Sequence, residues 1–194
     1  SRELQVLSGF GIALRDSPED QPVRVLDLGG WTGVYSVPVV SSYPRLTFDW
    51  TVLETPRSLM AVAGSGRPNH LRWVGDPQDV IGTFRVALVS AALHYFPDPI
   101  ERLTWLCARS EFVIINRNPL WPIAEHRVAC QWTDRKVGSG YPTWFFSDAR
   151  FREAVSALGK IRLEWEVPED SAYFSGVRRN YQGMLVESAV FHGV

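Results

Sequence analysis

The stretch Asp27-Leu28-Gly29-Gly30-Trp31-Thr32-Gly33 puts a carboxylate, three glycines and an indole into one short turn. Glycines let a backbone take positive φ and come close to a ligand. An apolar run before the turn and a helix after it would place free N–H groups at the ligand. Glu54 lies where a carboxylate would accept hydrogen bonds from both hydroxyls of a ribose. Asp76 follows the next apolar run and suits a base-edge contact such as adenine, although Gly-Asp-Pro is also ordinary turn chemistry. Ser90 ends a fourth run. A dinucleotide fingerprint would be G-x-G-x-x-G, whereas the spacing here is Gly29-Gly30-x-x-Gly33. Asp27 would repel a pyrophosphate and suits an ammonium. S-adenosylmethionine carries a sulfonium and an ammonium and no phosphate, so an acidic, aromatic-lined pocket matches it. The cofactor expectation is therefore S-adenosylmethionine, held by Asp27, Gly29, Gly30, Trp31, Gly33, Glu54, Asp76 and Ser90.

These residues need a scaffold of alternating strands and helices. Residues 1–22 read as a lead-in segment, with a helix over 3–14 and a loop after it. Strands are expected at 23–28, 46–53, 71–74, 86–90 and 112–115. Helices are expected at 34–40 and 56–63, and a third is opened by Pro97-Asp98-Pro99 and runs to about 109. Pro56 is suited to a first helical position. Residues 118–146 lack strong periodicity and read as an insertion near the acceptor site, with one strand at 127–132. Ser147 is an N-cap for a helix over 148–158, and Gly159 is its stop. Strands at 161–167 and 184–191 follow, with no helix between them, so they should pair antiparallel. The expected fold is α/β: one Rossmann-like, doubly wound sheet, mostly parallel, with an antiparallel C-terminal strand.

Bulk properties narrow the class. A chain of 194 residues suits a single domain over 1–194, and 45% hydrophobic with 21% charged residues suits a packed globule. A formal net charge of −1 gives no basic excess for nucleic acid. No apolar run approaches the ~20 residues that insert into a bilayer. No signal-peptide pattern opens the chain; it begins without methionine and is read as trimmed. Cys107 and Cys130 make no metal motif, and two free thiols suit a reducing cytoplasm. The expected partner is a small-molecule substrate, without a catalytic metal. Eight tryptophans exceed what the core of such a domain needs, so some should line a cavity or a homodimer contact.

The glycine turn resembles motif I of class I S-adenosylmethionine-dependent methyltransferases, and the terminal strand pair resembles that fold. More narrowly, the chain resembles a methyltransferase family found near bacterial polysaccharide and other biosynthetic clusters. The matching pieces are Val52-Leu53-Glu54-Thr55-Pro56, Leu88-Val89-Ser90-Ala91-Ala92-Leu93-His94-Tyr95, Ile114-Ile115-Asn116-Arg117-Asn118-Pro119-Leu120, Gln131, and Tyr141-Pro142-Thr143-Trp144-Phe145-Phe146-Ser147. The resemblance spans roughly residues 23–190 and implies methyl transfer to an unnamed acceptor, a sugar or other biosynthetic intermediate. Arg85 stands where the class often has an acid, Asn116 where the family often has Asp, and the short region before residue 23 implies a lid that is reduced or built elsewhere.

His94, after the fourth strand, is the first candidate for a general base, with His126 second. A packed histidine is the alternative for each. Tyr95, Arg117, Tyr141 and Trp144 are the candidate acceptor contacts. Arg117 alternatively pairs with a neighbour such as Glu125, and the aromatics alternatively form a satellite core. Three readings compete with methyl transfer: intramolecular substitution or elimination on the same cofactor, a non-catalytic cofactor-binding subunit, and an NAD(P) domain, which the glycine spacing disfavours.

Overall fold

Val23–Leu28 (β1) is apolar almost throughout, as a strand covered on both faces must be. A computed structural model, describing residues 2–62, 68–134 and 138–192, places it in the interior of the main sheet. Phe48–Leu53 (β2), Leu71–Val74 (β3), Phe84–Ser90 (β4) and Ser110–Asn118 (β5) run parallel to it. Gly159–Phe174 (β9) and Val177–Ser188 (β10) complete the seven-stranded sheet, in the order β3-β2-β1-β4-β5-β10-β9. β10 is antiparallel to both β5 and β9, as expected. The order reverses between β1 and β4, and the crevice outside their carboxyl ends is where such sheets bind ligands.

Helices cover both faces. On one face Arg2–Ala13 (α1) and Ser36–Ser42 (α2) pack Val6, Phe10 and Val39 onto Val25, Trp50 and Val86. On the other, Pro99–Arg109 (α4) and Asp148–Leu158 (α5) pack Leu103, Leu106, Phe151 and Val155 onto Leu26, Ala87, Val113 and Val186. Pro56–Val62 (α3) starts at its proline, as expected. The Ser147 hydroxyl accepts the Arg150 N–H at 3.4 Å and caps α5. Gly159 follows that helix for a different reason than a left-handed stop. Its φ of 174° is extended, and a Cβ there would lie 2.2 Å from the Glu187 carbonyl oxygen.

Three expectations shift. Helix α2 begins at Ser36, because residues 34 and 35 still belong to the glycine turn. Residues 118–146 hold three strands rather than one: Leu120–Trp121 (β6), Arg127–Asp134 (β7) and Ser139–Ser147 (β8), in the order β6-β8-β7. Pro142 inside β8 conceals it, since proline removes a ladder donor. The connector expected between 167 and 184 is strand on both sides. Ser175 (φ 51°) and Gly176 (φ 80°) close β9 onto β10 in a two-residue turn with both central φ positive. No helix among the described residues is long and apolar enough to cross a membrane.

Candidate functional site

At the end of β1 the turn carries its geometry in its glycines. Gly29 and Gly33 have φ of 70° and 73°, and a Cβ on Gly29 would lie 2.6 Å from that of Ala92. Gly30 is required by what lies below it: a Cβ there would meet the Asp27 carboxylate at 2.3 Å. Asp27 is 1% exposed and accepts the Trp50 indole N–H at 3.3 Å. Burial raises its pKa from 3.8 to about 7; the Trp50 hydrogen bond opposes this and the charge of Glu54 adds to it.

Trp31 takes φ 47°, a left-handed conformation that costs a non-glycine residue about 1–2 kcal/mol. Two contacts hold it. Its N–H donates to Glu54 Oε2 at 3.1 Å, and its carbonyl accepts the Trp73 indole N–H at 2.9 Å. Glu54, at the end of β2, also accepts the Thr55 N–H on Oε1 at 2.8 Å. Each carboxylate oxygen keeps a lone pair, so Glu54 is oriented and can accept two further hydrogen bonds. Left-handed non-glycine residues recur at this edge: Ala91 (φ 53°) after β4 and Arg117 (φ 60°) in β5. Such strain clusters at functional sites.

Two adjoining cavities open here. One, of about 310 Å³, is lined by Gly29, Glu54, Ala91, Ala92, Tyr95 and Phe96. The other, of about 180 Å³, shares Gly29, Glu54 and Phe96 and extends to Gly75, Pro77 and Arg102. Asp76 lies between two of these lining residues, but its carboxylate accepts the Gln78 N–H at 2.8 Å and caps its own short turn. Ser90 is tied into a network instead of facing open space. Its hydroxyl lies 3.1 Å from the Tyr35 hydroxyl and accepts the Asn116 amide N–H at 3.1 Å. Asn116 accepts the Trp165 indole N–H at 2.9 Å. A residue that must donate and accept at once explains an amide at this position.

His94 sits in the turn after β4, wholly buried. Neither ring nitrogen makes a hydrogen bond of good geometry, and neither does the side-chain amide of buried Asn118. Burial lowers the His94 pKa from 6.5 to about 4; the nearby Asn118 amide opposes this and the Arg117 charge adds to it. Its ring lies 4.1 Å from that of Tyr95 and 6.0 Å from that of Tyr181, centroid to centroid. Tyr95 also meets Tyr141 edge-on, and the Tyr95 hydroxyl donates to that of Tyr141 at 3.4 Å.

The remaining candidates are engaged. Arg117 makes a two-pronged contact with Asp170, at 2.8 and 3.1 Å, while Glu125 pairs with Arg150. The Trp144 indole donates to the Phe96 carbonyl at 3.0 Å, bracing that cavity wall from behind. His126 Nδ1 accepts the Ser147 N–H at 2.9 Å, and its ring packs edge-on against Phe146. Arg85 binds the Ala13 carbonyl and pairs with Glu111, fastening the end of α1 to the sheet. The residues brought together at the crevice are therefore Asp27, the glycines, Trp31, Glu54, Tyr95 and Tyr141. Tyr35, Phe96 and Tyr181 join them without any sequence signal beyond being aromatic.

No family model and no curated protein matches the sequence; the likeness is to solved structures. LepI in complex with S-adenosylhomocysteine and a substrate analogue superposes at a TM-score of 0.59 with 16% identity, over 92% of this chain and 46% of that one. The N-terminal domain of EvdMO1, with S-adenosylhomocysteine and D-fucose, gives 0.60 with 13% identity, over 97% of this chain and 83% of that one. The glycopeptide N-methyltransferase MtfA, with S-adenosylmethionine, gives 0.57 with 12% identity, over 92% and 91%. The chain spans less than half the length of LepI. The fold is that of class I S-adenosylmethionine-dependent methyltransferases.

Proposed function

We propose that this chain binds S-adenosylmethionine and transfers its methyl group to a small-molecule acceptor, a sugar or other biosynthetic intermediate. The observation that carries the reading is Glu54, a carboxylate fixed by two backbone N–H groups beside Gly29, with acceptor capacity left at a cavity of about 310 Å³. That donor set fits two ribose hydroxyls. The buried Asp27 carboxyl under Gly30 favours an ammonium over a phosphate at the turn. S-adenosylmethionine supplies a methyl carbon that takes a lone pair from the acceptor while its bond to sulfur breaks, leaving S-adenosylhomocysteine and an acceptor proton to be lost.

The protein's contribution is chiefly position. Glu54 orients the ribose, Gly29 admits the nucleoside close to the backbone, and Ala92, Tyr95 and Phe96 exclude water from the reacting atoms. His94 is neutral at pH 7, and with a pKa of about 4 it is a weak base. Wholly buried and outside both cavity linings, it backs Tyr95 at the cavity wall and leaves a hydroxyl acceptor without a strong base beside it. His126 is the second candidate, through Nε2, since Nδ1 is occupied. The scarcity of bases favours one alternative on the same cofactor, intramolecular substitution or elimination.

Calorimetric titration with S-adenosylmethionine, S-adenosylhomocysteine and NAD+ tests the reading. Micromolar binding of the first two and none of NAD+ is expected. It should be lost in Gly30→Arg, and weakened in Glu54→Gln, which changes no volume. Tight NAD+ binding in their place overturns it. Turnover yielding methylthioadenosine, with no S-adenosylhomocysteine, selects the alternative.

A further inference from the structure

The smaller cavity beside Glu54, of about 180 Å³, carries a cation that no acid of the protein answers. Arg102 lines it together with Glu54, Gly75, Pro77 and Phe96. Helix α4 brings it there: Leu103, Leu106 and Cys107 form the buried stripe of that helix, and Arg102 stands half-buried on its flank. Its guanidinium carbon lies 5.1 Å from the centre of the Phe96 ring and 5.7 Å from that of Trp105. These two rings fix where the cation sits, and Phe96 lines both cavities.

Among the described residues the Arg102 guanidinium makes no ion pair and no hydrogen bond. Arg24, Arg85, Arg117 and Arg152 are half-buried too, and each has a carboxylate partner. The Arg102 Nε–H is enclosed, whereas both Nη groups, equally unpartnered, keep accessible surface. Glu54 does not neutralise it, since its two oxygens are turned to the Trp31 and Thr55 N–H groups.

The cavity is therefore polarised. Leu28, Leu53, Pro56, Pro77 and Phe96 give it apolar walls. Glu54 offers only acceptors and Arg102 only donors. A ligand that answers both presents hydroxyl protons in one place and a lone pair on the edge of a flat apolar body in another. A purine nucleoside has that pattern, in its ribose hydroxyls and its ring nitrogens. Asp76, expected to contact the base, is exposed, lies outside both linings and accepts the Gln78 N–H.

We propose that Arg102 is the specificity residue for the base of the cofactor, donating an Nη–H to a ring nitrogen of adenine. The bond is charge-assisted, and it gives the guanidinium the acceptor that the protein withholds. The proposal rests on the S-adenosylmethionine reading and adds to it the residue that reads the base.

Calorimetry with S-adenosylhomocysteine and its 1-, 3- and 7-deaza forms, on the wild type and on Arg102→Met, tests it. Each deaza form replaces one ring nitrogen by C–H at constant shape. Methionine keeps an unbranched stem of good helix propensity beside Phe96 and Trp105. The wild type should bind at least one deaza form about tenfold more weakly than the parent. In Arg102→Met the parent should weaken about tenfold, and the penalty for that deaza form should fall below threefold. A role confined to packing on Phe96 would weaken parent and deaza forms alike and leave the penalty in place. Equal binding of all four ligands by the wild type, or every penalty carried over into Arg102→Met, overturns the proposal and leaves the cofactor reading standing. Absence of S-adenosylhomocysteine binding to the wild type removes both.

Discussion

The two ends of the crevice handle their polar groups in opposite ways. On the glycine side, the polar side chains at the strand ends are held by the protein. Glu54 is fixed by Trp31 and Thr55, Asp27 by Trp50, and Ser90 by Tyr35 and Asn116. On the hairpin side, buried His94, Asn118 and the Gln131 carbonyl make no hydrogen bond of good geometry, while Arg117 and Asp170 neutralise each other. A pre-oriented cradle binds with little reorganisation and suits one invariant molecule. Unpaired groups raise the energy of the free protein and are relieved only by a ligand that supplies the missing partners.

The sharpest way to break this contrast is to disable the cradle alone. Glu54→Gln keeps the volume but loses the charge and turns one acceptor into a donor. S-adenosylmethionine affinity should fall about 10–100-fold by calorimetry, since two charge-assisted hydrogen bonds are affected. The melting temperature should move little, because Glu54 is part-exposed and its carboxylate contacts two backbone N–H groups, of Trp31 and Thr55. Unchanged affinity would mean that the cradle is not where the nucleoside lies.

Asp27 and His94 set the two sides against each other by pH. The folded pKa of Asp27 is raised from 3.8 to about 7, so between these values the folded state holds a proton the unfolded chain has lost, and its contribution to stability falls as pH rises. The folded pKa of His94 is lowered from 6.5 to about 4, so there the unfolded chain holds the extra proton, and its contribution is lost as pH falls. The slopes oppose each other across nearly the same range and should largely cancel in the wild type. Urea unfolding at pH 4.5, 5.5 and 6.5 separates them, at about 1.4 kcal/mol per pH unit at most. Asp27→Asn should gain stability with rising pH, and His94→Gln should lose it. Parallel profiles for the two variants would refute both assignments. In the wild type, S-adenosylmethionine affinity should rise as pH passes 7 and Asp27 ionises opposite the ammonium.

The contrast also explains what could be read in the chain. The cradle is local: Asp27 to Gly33, Glu54 and Ser90 end strands whose apolar runs are plain, so fold, topology and turn follow from pattern. The hairpin side is assembled from distant pieces with mixed character. Tyr-Pro-x-Trp-Phe-Phe-Ser is a strand despite Pro142, and Glu169-Asp170-Ser171 and Arg178-Arg179-Asn180 are strand despite their polarity, because each pairs across a long hairpin. No spacing rule couples Arg117 to Asp170; Glu125 is nearer in sequence, and it pairs with Arg150 instead. The burial of His94 depends on Tyr181 and Asn118 arriving from other strands.

A smaller effect tests the bridge between the two sides. Tyr141→Phe removes one hydroxyl from the Tyr95 contact while keeping the edge-on ring pair. Cofactor affinity should stay within about twofold, and the acceptor KM should rise several-fold with kcat nearly constant, the signature of lost uniform binding. A fall in kcat with KM unchanged would instead place Tyr141 at the reacting atoms.

The smallest expected effect lies at Trp31, where the cradle itself carries strain. Its left-handed φ disfavours any side chain by about 1–2 kcal/mol, whereas glycine adopts it freely. Trp31→Gly keeps both backbone hydrogen bonds, to Glu54 and from Trp73, because neither uses the indole. Against the relieved strain stands the extra freedom glycine gives the unfolded chain, about 0.4–1 kcal/mol. The balance favours the variant by about 1 kcal/mol or less, a rise of a few degrees at most in melting temperature. The indole is 59% exposed, so little packing is lost with it. If the variant is more stable and binds S-adenosylmethionine equally well, the turn needs only the backbone of residue 31. If it is more stable and binds about tenfold more weakly, the tryptophan is held in an unfavourable conformation so that its ring can cover the ligand, and the cradle has a side-chain component beyond Glu54 and Asp27.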